Sequence, residues 1–368
     1  ASMSAMLSAE QLQFKEAVGR FFDEVSPPSA VRAFVESEAP FARDVWQRAS
    51  TELGLMGVHL PEEFGGAGFG ARELGIVCEE MGRTLYTGPY FGSSVMASCA
   101  VLFFGSEDAK ARHLPAFASG ETIGLLALDS LDKQTRIGTL LKSDEMHRLR
   151  GRVPVLVGGA DADVVFALAD GPGGIGLYRL LTKPDVLAMA SRSGLDATRR
   201  LSTLELSNVP AEQLGIAQPA QMTKFFDHLC VALAHEQIGG AQALFDSTVA
   251  YTKSRYQFGR PIGSFQALKH RCADLLLELE LAKSVVYEAA ACLDRGEPAS
   301  ELASMAKAMG SESYMNVARA AIQLRGGIGF TWEDNTHLWF KRAKSSEVFM
   351  GTPSYHRDRM LDHLREAS

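Results

Sequence analysis

The C-terminal part of the chain carries long apolar stripes that no proline interrupts, and this limits the fold more than any other feature. Phe225, Phe226, Leu229, Leu233, Ile238, Ala241, Leu244 and Phe245 recur at helical spacing. A second stripe follows Phe265 through Leu268, Cys272, Leu275, Leu276, Leu279, Val285 and Val286, and a third helix is expected from Glu301 to Leu324. Helices of such length, with stripes wide enough to contact more than one neighbour, must pack on one another as a bundle.

Upstream the texture differs. Between about 121 and 217, short apolar runs (Gly124–Leu128, Val153–Val157, Val164–Leu168, Gly176–Tyr178) alternate with turn clusters such as Gly171-Pro172-Gly173-Gly174. That pattern predicts short strands in an antiparallel sheet or small barrel. Residues from about 8 to 120 again read as helical. Ser8-Ala9-Glu10-Gln11 fits a capping box, and Leu12, Phe14, Val18, Phe21 and Phe22 follow near helical spacing. Ser26-Pro27-Pro28 ends that helix, and a second carries Phe41, Val45, Trp46 and Leu53. The glycine-rich stretch Gly54–Gly70 lacks the Lys-Ser/Thr of a phosphate loop, so it reads as a turn between helices. The expected fold class is α+β, mainly α: an N-terminal helical domain (4–120), a middle small β-barrel or sheet domain (121–217) and a C-terminal four-helix bundle (218–368).

Composition removes several classes of function. The net charge of -7 over 368 residues disfavours broad nucleic-acid coating. Anionic small ligands remain open through a local basic patch. No apolar run approaches the roughly 18 residues a membrane-spanning helix needs. Five cysteines (78, 99, 230, 272 and 292) form no CxxC pair and lie at no metal-ligand spacing from a histidine. They read as buried reduced thiols, so no metal is expected. With no charged-then-apolar signal at the N-terminus, a cytoplasmic location is expected.

Three segments carry the chemistry. In Tyr251–Gln266 a helix ends in basic residues, passes an aromatic-glycine turn at Arg255-Tyr256-Gln257-Phe258-Gly259 and restarts after Pro261. An arginine there can hold a phosphate bidentately and a phenylalanine can stack on a purine, although a helix-end cation also favours the dipole on its own. Gln323-Leu324-Arg325-Gly326-Gly327 closes a long helix with glycines that let backbone N–H groups approach a ligand, or simply cap the helix. Phe349-Met350-Gly351-Thr352-Pro353-Ser354 is a polar turn after the basic residues Lys341, Arg342 and Lys344, which could steer a phosphate or form a solvated face. Trp332-Glu333-Asp334 is expected to cap the helix that follows it.

In this order and at these separations, the three segments resemble those of the acyl-CoA dehydrogenase family of flavoproteins, and the resemblance extends over nearly the whole chain. It implies FAD at a subunit interface in a homo-oligomer or a heterotetramer, an acyl-CoA thioester substrate and an electron-transfer flavoprotein as acceptor. It further implies that Arg255 pairs with the pyrophosphate of a neighbouring subunit's FAD. Phe258 would pack near the adenine end, Gln323 and Gly327 would line the same groove, and Thr352 and Ser354 would contact the flavin half. The family reaction removes an α-proton with a carboxylate while the flavin accepts the β-hydrogen as hydride.

The sequence departs from the family pattern at the base. Where many relatives place a catalytic Glu, immediately before Gly351-Thr352, this chain has Met350. The position used in a minority branch is Leu229. Neither side chain can accept the proton. Glu236 and Glu347 are nearby carboxylates that could be recruited as base, Glu236 being the candidate for a self-sufficient enzyme, but each is more readily explained as structural or surface. The strand that contacts the flavin in relatives is here Leu126-Ala127-Leu128-Asp129-Ser130. Val155–Val157 and Gly158-Gly159 stand where a flavin-packing Trp is usual. The elements that would reach a neighbour's FAD are intact, whereas those that would hold the chain's own are degraded. The expectation is therefore a companion subunit that clamps FAD across an interface while a partner supplies the base, acting on bulky thioesters such as steroid side chains. A self-sufficient dehydrogenase with a relocated base, a family flavoprotein with different chemistry and a regulatory protein without FAD are the alternatives.

Overall fold

The computed structural model describes residues 7–37, 41–128, 140–159 and 161–367. The N-terminal helices are α1 (Ala9–Val25), α2 (Pro28–Glu36), α3 (Arg43–Leu53), α4 (Ala71–Thr84), α5 (Ser98–Phe104) and α6 (Glu107–Ala118). The capping box at α1 forms in both directions, with the Gln11 N–H donating to Ser8 Oγ at 3.1 Å and the Ser8 N–H to Gln11 Oε1 at 3.0 Å. Pro27-Pro28 ends α1 and also starts α2, a helix not expected from the sequence, because proline is preorganised for a first helical turn. The Gly54–Gly70 stretch folds into two single 3₁₀ turns. Gly66 is needed there for close approach, since a Cβ would lie 2.1 Å from the Leu60 carbonyl oxygen. A π-helical turn, Phe91–Ala97, runs into α5 and is buried throughout.

The strands are β1 (Gly124–Ala127), β2 (Leu141–Ser143), β3 (Arg148–Val157), β4 (Val164–Gly171), β5 (Gly174–Leu180), β6 (Ala188–Arg192) and β7 (Leu201–Ile216). Pairing runs β4-β2-β3-β7-β5 and returns from β5 to β4, which closes a small barrel. β1 adds in parallel to β4, and β6 pairs with β7. Closure removes the open edges that a sheet of this size would expose. Leu125, Val153, Leu156, Val165, Tyr178 and Leu204 fill the interior.

The C-terminal part contains α7 (Pro219–Ser254), the hairpin β8 (Tyr256–Gln257) and β9 (Arg260–Pro261), α8 (Gln266–Asp294), α9 (Ser300–Arg325), α10 (Thr336–Val348) and α11 (Pro353–Ala367). α9 packs against α8, α10 and α11, so the bundle is built around it. By contact the chain divides into two units. One comprises the residues up to Ala33, Gly75–Tyr86 and Cys230 onward; the other comprises Phe34–Leu74 and Thr87–Leu229. Within the first, α4 and α7 cross at glycines. A Cβ on Gly239 would lie 1.9 Å from the Glu79 carbonyl oxygen, and one on Gly82 would lie 2.0 Å from that of Glu236. All five cysteines are free; four are buried and Cys272 is half-buried.

Candidate functional site

Arg255 is the first residue beyond α7. Its N–H donates to the Tyr251 carbonyl at 2.9 Å and its own carbonyl accepts from the Ile262 N–H at 2.8 Å, so the hairpin folds back onto the helix end. The Arg255 side chain is exposed. Phe258 stands at the hairpin tip with φ +53° and 90% exposure, a left-handed backbone that costs an aromatic residue free energy. Arg260 lies 4.0 Å above the Phe265 ring, which meets Phe258 edge-on at 6.2 Å.

Gln323 is exposed on the last turn of α9. Gly326 takes φ +62°, and a Cβ on either Gly326 or Gly327 would meet nothing within 4 Å. Between Gln323 and the glycines lies Arg325, buried. It donates to Thr248 Oγ1 at 2.8 Å and Ser247 Oγ at 3.1 Å, and stands 5.3 Å over the Tyr251 ring. The end of α9 is thus fastened to α7 about two turns before Arg255. The structure brings the Arg255 and Gln323 segments to the same end of the bundle.

The third segment, after α10, is a turn with two successive positive φ angles, +57° at Met350 and +100° at Gly351. Below it the fully buried Lys307 donates to the Ser346 carbonyl at 3.1 Å, the Gly351 carbonyl at 3.0 Å and Ser311 Oγ at 2.9 Å. His356 Nε2–H donates to the Met350 carbonyl at 2.8 Å. Burial and the nearby Lys307 ammonium lower the His356 pKa to about 3, so the ring is neutral at physiological pH. Thr352 caps α11 by accepting from the Tyr355 N–H at 3.3 Å. Thr352 and Ser354 line a cleft of about 760 Å³ with Asn316, Arg319 and Glu347.

Met350 and Leu229, at the two customary base positions, are buried. Glu236 is 2% exposed and its Oε1 accepts from Arg342 Nη1 at 3.0 Å. Glu347 pairs with Lys344 at the cleft. The basic run 341–344 is a solvated face only in part: Arg342 is buried against Glu236 and the half-buried Lys341 lies 5.4 Å over the Trp332 ring, whereas Lys344 is exposed. Asp334 does cap α10, its Oδ1 accepting from the Thr336 N–H at 2.6 Å. Leu126, Ala127 and Leu128 are buried in and beside β1, as are Val155–Val157 at the end of β3, so neither stretch offers an exposed polar side chain. Asp129 and Ser130 lie outside the described residues.

Several polar residues escaped the sequence reading. Glu79 accepts from Lys15 and from the Tyr287 hydroxyl at 2.6 Å, beside the buried His235. Burial opposes ionisation of Glu79, but the Lys15 ammonium and the other partners outweigh it and hold the carboxyl at about 2. Lys307 and Arg325 belong to the same class. The usable signal was a charged residue inside an apolar stripe, such as Lys307 among Ala303, Ala306 and Gly310. His235 lies in the core, while His270 is exposed on α8. Among the described residues no His/Cys/Asp/Glu group is arranged to hold a metal, and no helix is long and apolar enough to cross a membrane.

Comparison with known proteins agrees with this architecture. Residues 8–121 match the family description "Acyl-CoA dehydrogenase, N-terminal domain", and residues 219–364 match "Acyl-CoA dehydrogenase, C-terminal domain". Acyl-CoA dehydrogenase IpdE2 of Mycolicibacterium smegmatis is 33% identical over 347 residues, 94% of this chain and 96% of that protein. The solved Tcur3481–Tcur3483 steroid ACAD superposes with a TM-score of 0.87 at 27% identity, covering 97% of this chain and 98% of that one. The ChsE4–ChsE5 complex from Mycobacterium tuberculosis shares the fold, with a TM-score of 0.88 at 23% identity and 98% of each chain covered. The chain belongs to the acyl-CoA dehydrogenase family of oxidoreductases.

Proposed function

We propose that this chain is the companion subunit of a heteromeric, FAD-dependent acyl-CoA dehydrogenase. It clamps FAD across the subunit interface while a homologous partner supplies the base, and the assembly desaturates a bulky acyl-CoA thioester. The observation that carries the reading is the pair of apolar residues, Met350 and Leu229, at both positions where the family places a carboxylate, each buried. A thioether or an aliphatic side chain cannot take the α-proton. The name of the similar steroid ACAD supports a ring-bearing substrate.

FAD, when bound, supplies the acceptor for the β-hydrogen as hydride. The residues on the chain's exposed side fit that group. Phe258 is an exposed aromatic in a strained backbone, and Gly327 leaves open space at the end of α9. In this reading Arg255 offers a bidentate cation to the pyrophosphate. Phe258 covers the adenine end, and Gln323 and Gly327 line the groove. Thr352 and Ser354 face the flavin half. The buried apolar stretches at 126–128 and 155–157 do not fit a flavin held by the chain itself. Electrons leave through an electron-transfer flavoprotein, as the family implies.

A second reading keeps one specific observation. Glu347 lines the same cleft as Thr352, so a self-sufficient enzyme would recruit it as base. Acyl-CoA turnover by the purified chain, alone and with a homologous subunit, separates the two. Activity only in the mixture, unchanged by Glu347→Gln, is the expected result. A yellow, active chain without a partner that loses turnover in Glu347→Gln would overturn the companion reading.

A further inference from the structure

Arg325 is the most heavily engaged cation near the proposed clamp, yet it faces inward. Its side chain is 6% exposed. Nη1 donates to Thr248 Oγ1 at 2.8 Å and to the Ala321 carbonyl at 3.4 Å, and Nη2 donates to Ser247 Oγ at 3.1 Å. Nε stands 3.3 Å from Asp334 Oδ2, an ion pair without hydrogen-bond geometry. The guanidinium also covers the Tyr251 ring at 5.3 Å. One side chain therefore touches three segments of the chain. These are the last turn of α9, which carries Gln323; the last turns of α7, which lead into Arg255; and Asp334, beyond the Gly326-Gly327 turn.

The helix bodies are already held by packing, α9 against α8, α10 and α11 and α7 against α4, so what Arg325 adds is the alignment of their ends. Gly326 and Gly327 have no neighbour within 4 Å of a Cβ position, so their outer face is open. The hairpin bearing Phe258 is anchored through the Arg255 carbonyl, and Arg255 through the Tyr251 carbonyl. A planar donor fork fixes direction as well as distance, which an ammonium does not. Burying it unsatisfied would be costly, so its partners are held in turn. Thr248, for example, donates its hydroxyl hydrogen bond to the Leu244 carbonyl at 2.7 Å.

We infer that Arg325 is a positioning residue: it locks the ends of α7 and α9 together so that Arg255, Gln323 and Gly327 meet the dinucleotide as one preformed surface. The inference rests on the proposed FAD clamp. A surface ordered in advance loses less freedom on binding, and small misplacements of its groups cost affinity steeply.

The test uses the full chain in whichever assembly holds FAD, with a homologous partner or with itself. Three variants are compared with the parent: Arg255→Gln, Arg325→Met and Arg325→Lys. FAD dissociation is read by flavin fluorescence and flavin retention on gel filtration, with thermal unfolding followed beside them. Arg325→Met is expected to weaken FAD binding by about tenfold or more, with kcat at saturating FAD unchanged and partial rescue by Arg325→Lys. If Arg255→Gln releases FAD and Arg325→Met does not, the positioning role is refuted while the clamp stands. If Arg255→Gln leaves FAD binding unchanged, or no assembly holds FAD, the clamp and the positioning role fall together. Should Arg325→Met not fold, Thr248→Val removes one acceptor at nearly constant shape. It is expected to weaken FAD binding and to lower the unfolding midpoint by no more than the loss of one buried acceptor, and unaltered FAD affinity in that variant would refute the role.

Discussion

Replacing Glu236 by glutamine separates a structural carboxylate from a catalytic one. Glu236 and Arg342 have side chains 2% and 3% exposed and meet at 3.0 Å, so the pair sits in surroundings where water screens little. Removing one member of a buried pair costs about 3–5 kcal/mol, because the remaining charge keeps its desolvation penalty and loses its counterion. The glutamine oxygen still accepts a hydrogen bond from Arg342, which places Glu236→Gln near the low end, about 3 kcal/mol. For a unit of this size that corresponds to a fall in Tm of roughly 6–12 °C. Thermal unfolding by circular dichroism and turnover at a temperature well below the lowered Tm are measured on the same preparation. The expected result is a large drop in Tm with turnover per folded molecule unchanged. The double variant Glu236→Leu with Arg342→Met should recover most of the stability, since no charge is left buried. Unchanged Tm with abolished turnover would refute the reasoning and make Glu236 the base.

Three further outcomes follow from the same geometry. The Glu79 carboxyl, held at about 2 against an ordinary value near 4.3 in the unfolded chain, contributes stability above that ordinary value and loses it as pH falls toward 2; Tm against pH should be shallower for Glu79→Gln over this window, and identical slopes would contradict the assignment. Gly239→Ala places a Cβ 1.9 Å from the Glu79 carbonyl oxygen and should cost about 2–3 kcal/mol in urea unfolding, whereas an unshifted midpoint would show that the helices part freely. Burial raises the Cys99 thiol to about 12 and covers three of the other four, so a thiol reagent should label only Cys272 rapidly in the native chain; a second fast thiol would contradict the burial pattern.

Much of the fold was legible because its determinants are local. The stripes of α7, α8 and α9 carry a helical period, and the capping box at Ser8 and Gln11 uses only four consecutive residues. β7 was not legible. Its outward-facing residues are polar, and what makes it a strand of 16 residues is pairing with β3, β5 and β6, which no local pattern reports. The helix α2 was hidden because Pro27-Pro28 reads as a stop although it also serves as a start. For the candidate site, sequence pattern located the exposed turns around Arg255, Gln323 and Thr352. It missed the inward-facing side chains that hold those turns. Arg325 and Arg342 look like surface cations in a string of letters, and only the helix that each one faces turns it into an anchor.

Flavin stoichiometry tests the central claim most directly. The chain is co-expressed with a homologous subunit, the assembly is purified, and FAD absorbance is compared with the amount of each chain. The account predicts that FAD follows the partner subunit in number, with none retained by this chain alone, and that Arg255→Gln in this chain releases the flavin. FAD bound by the isolated chain in proportion to its own concentration, and unaffected by Arg255→Gln, would contradict it.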